Sequence, residues 1–212
     1  IPSNLNDEIQ SVGGQYTYQK NKWNGKFSYT TSITDQSLSN LDGKLIFNYN
    51  EKNSIDLRYQ NLNRLPNHTF SLYQSSYVNY NWSNNFKNEK INNIEASLKT
   101  QWIDAALQLT TLNDYLYFSQ DEAPQDQLIV TPKQYDQTIN YLSIKAGKDL
   151  KFWKLGFDNT VLYQKVDQQN DILNVPELTL RSTLYFTGHF FKKALFLQTG
   201  VTVNYFSKYK AN

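Results

Sequence analysis

The sequence predicts an all-β protein, an antiparallel transmembrane β-barrel, and three observations support this fold class. First, apolar and polar residues alternate along most of the 212-residue chain, as in a β-strand, where successive side chains point to opposite faces. Second, the alternating segments are roughly nine residues long, about 30 Å, which lets a tilted strand cross the apolar band of an outer membrane. Third, aromatic residues make up 15% of the chain, and Tyr is the most frequent of them. Outer-membrane barrels carry girdles of aromatic residues at both membrane interfaces.

Seven segments show the alternation most clearly, and each places its apolar residues on one face of the expected sheet. A soluble antiparallel sheet also alternates, because one face packs on a core, but strands of soluble proteins are usually shorter, about 5–6 residues. No apolar run approaches the roughly 20 residues of a transmembrane helix. In chain order, the apolar sets are Phe27, Tyr29, Thr31 and Ile33; Leu45, Phe47 and Tyr49; Ile55, Leu57 and Tyr59; Leu142, Ile144 and Ala146; Leu155, Phe157, Val161 and Tyr163; Leu178, Leu180, Leu184 and Phe186; and Leu195, Leu197, Val201 and Val203.

The connections between these segments alternate in length. Outer-membrane barrels have short periplasmic turns and longer extracellular loops, so the lengths assign a side of the membrane to each connection. Short connections are expected near residues 20–22, 51–54, 84–90, 149–152 and 189–193, and longer ones near residues 35–43, 61–69, 119–135 and 166–175.

Residues 91–118 are too many for one ordinary strand, and their apolar positions change from even (Ile94, Leu98) to odd (Leu107, Leu109). Either a tight turn near Trp102 separates two strands, giving about eleven strands in all, or a β-bulge shifts the register of one long strand, giving about ten. The alternation of loop lengths favours the bulge.

The two faces of the expected strands define the candidate functional residues. Charged residues on the polar face would line a water-filled lumen and set its ion preference, and Trp residues at strand ends would form an aromatic girdle. The pore-lining candidates are Lys26, Asp56, Arg58, Glu95, Lys99, Lys145, Asp158 and Arg181. The lipid-facing candidates are Leu57, Leu180, Leu184, Leu195, Leu197, Val201 and Val203, and the girdle candidates are Trp23, Trp82, Trp102 and Trp153.

Composition and motifs argue against catalysis, metal binding and nucleic-acid binding. The chain has no Cys, which excludes disulfides and thiol-based sites, and its formal net charge is only +2, whereas nucleic-acid binders carry a basic stripe. The two His residues, His68 and His189, are far apart, and the sequence has neither a nucleophile elbow nor a Gly-rich phosphate loop. We therefore expect a non-enzymatic protein without catalytic residues, metal ligands or cofactors.

Several runs in the C-terminal half carry a resemblance to a known family. Residues 174–186 read NVPELTLRSTLYF, residues 190–201 read FFKKALFLQTGV, and residues 131–135 and 139–145 read TPKQY and INYLSIK. These runs resemble the putative porin family of Bacteroidota. The similarity is closest over about residues 131–212 and looser in the N-terminal half.

The resemblance implies an outer-membrane barrel with a pore function and no catalytic residues. Members of this family continue with further strands beyond the point that matches residues 209–212. We therefore expect residues 1–212 to be a single-domain barrel segment that continues beyond both ends, so that its strands form part of a larger barrel.

The leading functional hypothesis is diffusion of small hydrophilic solutes through a barrel in a bacterial outer membrane. Its partners would be membrane lipid and lipopolysaccharide, with other outer-membrane proteins as further candidates. The alternative is a non-conducting barrel subunit of a larger complex, such as a secretion or barrel-assembly machine. A third hypothesis is a soluble carbohydrate-binding β-sandwich whose surface Tyr and Trp side chains stack on sugars.

Overall fold

The computed structural model describes residues 4–5, 8–34, 36–77, 80–121 and 129–210, and they form almost entirely β-structure. The elements are β1 (Ser11–Lys20), β2 (Trp23–Ser32), β3 (Ser39–Asn50), β4 (Asn53–Arg64), α1 (His68–Ser71), β5 (Leu72–Tyr73), β6 (Trp82–Ser83), β7 (Glu89–Lys99), β8 (Asp104–Asn113), β9 (Tyr115–Gln120), β10 (Val130–Tyr135), β11 (Ile139–Phe152), β12 (Leu155–Asp167), β13 (Leu178–Phe190) and β14 (Leu195–Phe206). Ten strands form one sheet in the order β1-β2-β3-β4-β7-β8-β11-β12-β13-β14, and all of its neighbours pair antiparallel. The predicted antiparallel all-β fold is confirmed.

Because neighbouring strands run in opposite directions, successive connections lie at opposite ends of the sheet. Residues 21–22, 51–52, 100–103, 153–154 and 191–194 form the short-turn end. The described parts of residues 33–38, 65–88, 114–138 and 168–177 form the long-loop end, which also contains the two small sheets β5–β6 and β9–β10. The sorting of loop lengths predicted from the sequence therefore holds, with one exception.

The exception concerns the two connections around β7, where the favoured prediction is wrong. The chain makes a tight turn at residues 100–103, and Thr100 Oγ1 accepts hydrogen bonds from the backbone N–H of Trp102 (3.2 Å) and of Ile103 (2.9 Å). Because Leu98 pairs with Ala105, even-numbered residues of β7 share a face with odd-numbered residues of β8. The parity change therefore comes from a hairpin and not from a bulge.

The expected short turn at residues 84–90 is also wrong, because residues 65–88 together form one long connection. Asn67 Oδ1 accepts a hydrogen bond from the Thr69 backbone N–H (3.0 Å) and caps α1. The chain then forms the two-residue strands β5 and β6, which pair only with each other among the described residues. The described residues of this segment add no strand to the main sheet, so the sheet has ten strands although the turn at Trp102 is present.

The register collects most of the apolar side chains of the ten strands on one face, which we call the apolar face. Tyr16 pairs with Phe27, and Ile94 pairs with both Tyr59 and Leu109. These side chains have no protein cover: large hydrophobic side chains of nearly every strand are well exposed, and Val201 is 70% exposed.

Within the described ranges, the buried hydrophobic residues are Leu116, Tyr135 and Ile139, all in or beside the β9–β10 hairpin. No second sheet covers the apolar face of the part of the chain that the structure describes, as a soluble sandwich would require. No helix in those residues is long and apolar enough to cross a membrane.

On the opposite face, the Tyr185 ring fills the space above Gly156. Tyr185 pairs with Gly156 on one side and with Gly200 on the other, and its hydroxyl donates a hydrogen bond to Asp149 Oδ1 (2.7 Å). A Cβ added at Gly156 would lie 2.0 Å from Tyr185 Cζ. An aromatic ring that covers a strand glycine helps to fix the register of neighbouring strands.

We predict that Gly156→Val displaces Tyr185, breaks its hydrogen bond to Asp149 and lowers the free energy of unfolding by about 1–3 kcal/mol, as overpacking does. Urea unfolding of the folded protein in lipid vesicles, followed by Trp fluorescence, measures the change. Gly14→Val is the matched control, because a Cβ added at Gly14 meets no atom within 4 Å. Equal destabilisation by the two variants would contradict the role of Tyr185.

Candidate pore wall

The face opposite the apolar face, which we call the polar face, brings the predicted pore-lining residues together. Lys26, Lys44, Arg58 and Glu95 pair in turn across β2, β3, β4 and β7, so their side chains form one transverse row. The register places all eight candidates on this face: Lys26, Asp56, Arg58, Glu95, Lys99, Lys145, Asp158 and Arg181. Their role as pore lining stays a prediction.

Two ion pairs neutralise neighbouring cations within this row. Lys44 and Arg58 lie directly opposite each other, an arrangement that like charges make unfavourable. Each cation instead contacts a carboxylate diagonally across the strands: Arg58 donates two hydrogen bonds to Asp42 Oδ2 (2.9 and 2.6 Å), and Lys44 Nζ lies 3.2 Å from Asp56 Oδ2. Asp42 and Lys44 are not among the residues predicted from the sequence, although both share the parity of the polar positions of β3.

Towards the short-turn end, the polar face has a recess of about 520 Å³. Small residues such as Ser97 and Gly147 form part of its lining, and charged residues of the polar face form much of the rest: Asp56, Lys99, Asp104, Lys145, Asp149 and Asp158. Lys148 Nζ pairs with Asp104 (3.0 Å), whereas Lys99 and Lys145 make no ion pair among the described residues. The recess therefore holds charges of both signs, with two ammonium groups available to a solute.

At the long-loop end, the β9–β10 hairpin is attached to the polar face through Glu89. The Glu89 side chain is only 9% exposed. Its Oε2 lies 2.9 Å from both Arg64 Nε and Arg64 Nη2, and its Oε1 accepts a hydrogen bond from the backbone N–H of Leu116 (3.1 Å). Arg64 and Glu89 lie opposite each other on β4 and β7, so the ion pair fixes the Glu89 carboxylate at the end of the sheet. The hydrogen bond from Leu116 to this carboxylate then holds β9 there.

Further contacts fix the hairpin between two long loops. The Gln134 side chain accepts a hydrogen bond from the Lys87 backbone N–H (2.9 Å) and donates one to the Lys87 carbonyl (2.8 Å). Tyr135 Oη accepts a hydrogen bond from the Asn170 backbone N–H (3.1 Å). Burial, together with the negative charge of Glu89, raises the pKa of Tyr115, which keeps its phenol neutral. This attachment could not be predicted from the sequence, because Arg64 and Glu89 come together only through the pairing of β4 with β7.

The four predicted girdle residues divide between the two ends. Trp23 lies on the apolar face at the start of β2, with its ring 4.6 Å from the Phe47 ring. Trp102 and Trp153 lie in turns at the same short-turn end and are 74% and 81% exposed. Trp82 instead lies in β6 at the long-loop end, where it stacks on Tyr73 (4.9 Å). The girdle function of all four stays a prediction.

The seven lipid-facing candidates all lie on the apolar face. Leu184 pairs with Val201 and Leu57 with Leu45, and these four side chains are well exposed. The remaining candidates follow the same alternation: Leu180, Leu195, Leu197 and Val203. Their contact with lipid stays a prediction.

No cluster of three or more His, Asp or Glu side chains that could hold a metal ion is found in the described part of the chain. His189 lies near the end of β13, on the polar face, and its ring lies 5.1 Å from the Phe196 ring. His68 begins α1 at the opposite, long-loop end. The two imidazoles therefore belong to opposite ends of the sheet.

Comparison with known families agrees with these features. The family model described as "Putative porin" matches residues 1–212, the whole chain. The matched range therefore includes the N-terminal part of the chain as well as residues 131–212, where the sequence resembles the family most closely. No curated protein matches the chain significantly.

We predict that Glu89→Gln loosens the β9–β10 hairpin, because it removes the charge that binds Arg64 and weakens the acceptor for Leu116, at a cost of about 1–2 kcal/mol. Limited chymotrypsin digestion of the folded protein should cleave faster after the aromatic residues of β9, at Tyr115, Tyr117 or Phe118. Glu95→Gln is the control, because Glu95 lies on the same strand and face without an ion pair among the described residues. Equal cleavage rates in the two variants would contradict the attachment.

Proposed function

Because the chain belongs to the Putative porin family, we propose that it forms a pore through which small hydrophilic solutes diffuse across a bacterial outer membrane. Family membership itself indicates a porin-like outer-membrane β-barrel and a non-enzymatic channel protein. One structural observation supports the finer proposal: a single ten-stranded sheet has one exposed apolar face and one face rich in charged and amide side chains.

The proposal follows from how a sheet satisfies its backbone in lipid. Inside hydrocarbon every backbone N–H and C=O group needs a partner within the protein, and a closed barrel supplies one because it has no free edge. In the described residues β1 and β14 each pair with one neighbour. We propose that these two edges pair within the membrane, with each other or with further strands, and that the polar face encloses the lumen.

The charges of the proposed lumen favour weak ion selectivity. Cations and carboxylates are interspersed along the polar face, and two of its ion pairs, Arg58–Asp42 and Lys44–Asp56, neutralise four of the charges locally. A ring of one sign of charge would be needed for strong ion selectivity. The side chains supply hydrogen-bond partners to water and to uncharged hydrophilic solutes alike.

A second candidate is a non-conducting barrel that serves as a subunit of a larger outer-membrane complex. The β9–β10 hairpin favours it, because its Leu116 N–H donates a hydrogen bond to Glu89, which lies on the polar face at the long-loop end. A hairpin fixed across the lumen would obstruct the passage of solutes. Conductance of the folded protein separates the two candidates.

We predict that Val201→Lys lowers the free energy of unfolding in phospholipid vesicles by about 2–4 kcal/mol, because it places an ammonium group against lipid near the middle of β14. Thr202→Lys should change the free energy little, since Thr202 lies on the polar face beside Thr183. Urea titration of both variants measures the difference. If the two substitutions destabilise the protein equally, the apolar face does not contact lipid.

We predict stepwise ionic current when the folded protein inserts into a planar bilayer. Lys145→Gln removes a positive charge from the proposed lumen, so the zero-current potential in a salt gradient should shift towards cation preference. Lys165→Gln removes an equal charge from the apolar face and should leave that potential unchanged. Insertion without current would overturn the pore and support the non-conducting subunit.

A further inference from the structure

The apolar face has a recess of about 670 Å³ where the apolar band meets the long-loop end. It spans β7, β8, β11 and β12, and two transverse rows of side chains line it. The lower row is Ile94, Leu109, Leu142 and Lys165, and the upper row is Asn92, Thr111, Asn140 and Asp167. One half of the recess is therefore apolar and the other half polar.

The polar half has hydrogen-bonding groups that the protein leaves unused. Thr111 donates a hydrogen bond to Asn140 Oδ1 (3.1 Å), which leaves the Asn140 amide N–H groups available. Asn92 Oδ1 is buried without a hydrogen-bond partner. Lys165 and Asp167 make no ion pair within the described residues, and both side chains are exposed. An adjoining row on the same face adds a second cation, Lys90.

A second groove adjoins this recess on the same face. It has a volume of about 530 Å³, and its lining includes Tyr16, Phe27, Leu45, Leu57 and Tyr59. Gly25 and Gly43 also line it, and the absence of side chains at these positions leaves space within the apolar band. Ile94 lines both cavities, so the apolar groove and the half-polar recess are neighbours.

We propose that the recess and the groove together bind one phosphorylated glycolipid of the outer leaflet. The sugar rings would lie in the recess, with their hydroxyl groups bonded to the Asn and Asp side chains and with one phosphate paired with Lys165 and a second with Lys90. An acyl chain would lie in the groove between the aromatic side chains. This site rests on the proposed function, because it requires the apolar face to contact lipid with the long-loop end at the outer leaflet.

The composition of the recess favours a glycolipid over a glycerophospholipid. A row of amide and carboxylate side chains offers both donors and acceptors, which suits the many hydroxyl groups of a sugar, and ammonium groups pair with phosphate. The short-turn end differs, because exposed aromatic side chains such as Trp153 and Phe191 accompany Lys154, Lys192 and Lys193 there. That combination suits the interface of a simple phospholipid leaflet.

Native mass spectrometry of the detergent-purified folded protein can test this site, with diphosphorylated lipid A, monophosphorylated lipid A and phosphatidylglycerol as probes. We expect one diphosphorylated lipid A to bind per protein, with weaker binding of the monophosphorylated form and weaker still of phosphatidylglycerol. The double variant Asn140→Ala/Lys165→Gln should weaken binding of lipid A about tenfold, a loss of 1.4 kcal/mol. Asn159→Ala/Lys154→Gln removes the same groups elsewhere and should bind as the unmodified protein does.

A separate variant tests the apolar groove. Gly43→Val should fill the groove and weaken lipid A binding severalfold without preventing folding, because an added Cβ meets its nearest side-chain atom, Phe27 Cδ2, at 3.8 Å. Gly14→Val, outside the groove, should leave binding unchanged. A heat-dependent shift in gel mobility confirms that each variant is folded.

Three results would overturn the glycolipid site: equal binding of lipid A and phosphatidylglycerol, equal losses in the two double variants, or no binding by a protein that folds and inserts into bilayers. In each case the proposed pore would stand. Failure of the unmodified protein to insert into bilayers at all would instead overturn the proposed function and the site with it.

Discussion

Continuous backbone pairing between neighbouring antiparallel strands is the constraint on which the rest of this structure depends. Each interior strand of the ten-stranded sheet pairs with a neighbour on both sides over much of its length, so the paired N–H and C=O groups need no water. A sheet of this kind can expose Val201, Val203 and Leu184 to lipid without losing backbone hydrogen bonds. The alternation of side chains then follows from the pleat, and one apolar and one polar face result from it.

This arrangement reverses the usual distribution of polarity in a folded domain. Large hydrophobic side chains are exposed on one face, and most of the charged strand side chains share the opposite face, where cations lie next to one another. Arg58 and Lys44 are directly opposite and therefore pair with Asp42 and Asp56 on the diagonals. Local neutralisation of this kind stabilises the wall and also limits the ion selectivity that a pore built from it could have.

The two ends of the sheet have different physical characters because their connections differ in length. Tight turns at the short-turn end leave Trp102 and Trp153 exposed. The connections at the long-loop end are long enough to pack on one another: Phe70 from the β4–β7 connection stacks on Phe118 of β9 (4.7 Å), and Glu89 binds both Arg64 and the hairpin. In the non-conducting proposal this packing obstructs the lumen, whereas in the pore proposal it leaves a passage for solutes.

The sequence by itself determined the strand class, the two faces and most of the connections, because a period of two residues is a local property of each strand. The register places all eight pore-lining candidates on one face and all seven lipid-facing candidates on the other. Asp42 and Lys44 could have been added by the same reasoning. Three features could be seen only in the folded structure: the turn at Trp102, the exclusion of the described part of residues 65–88 from the main sheet, and the contact of Arg64 with Glu89. These features depend on which strands pair and in which register, and that choice is made by contacts between residues distant in the chain.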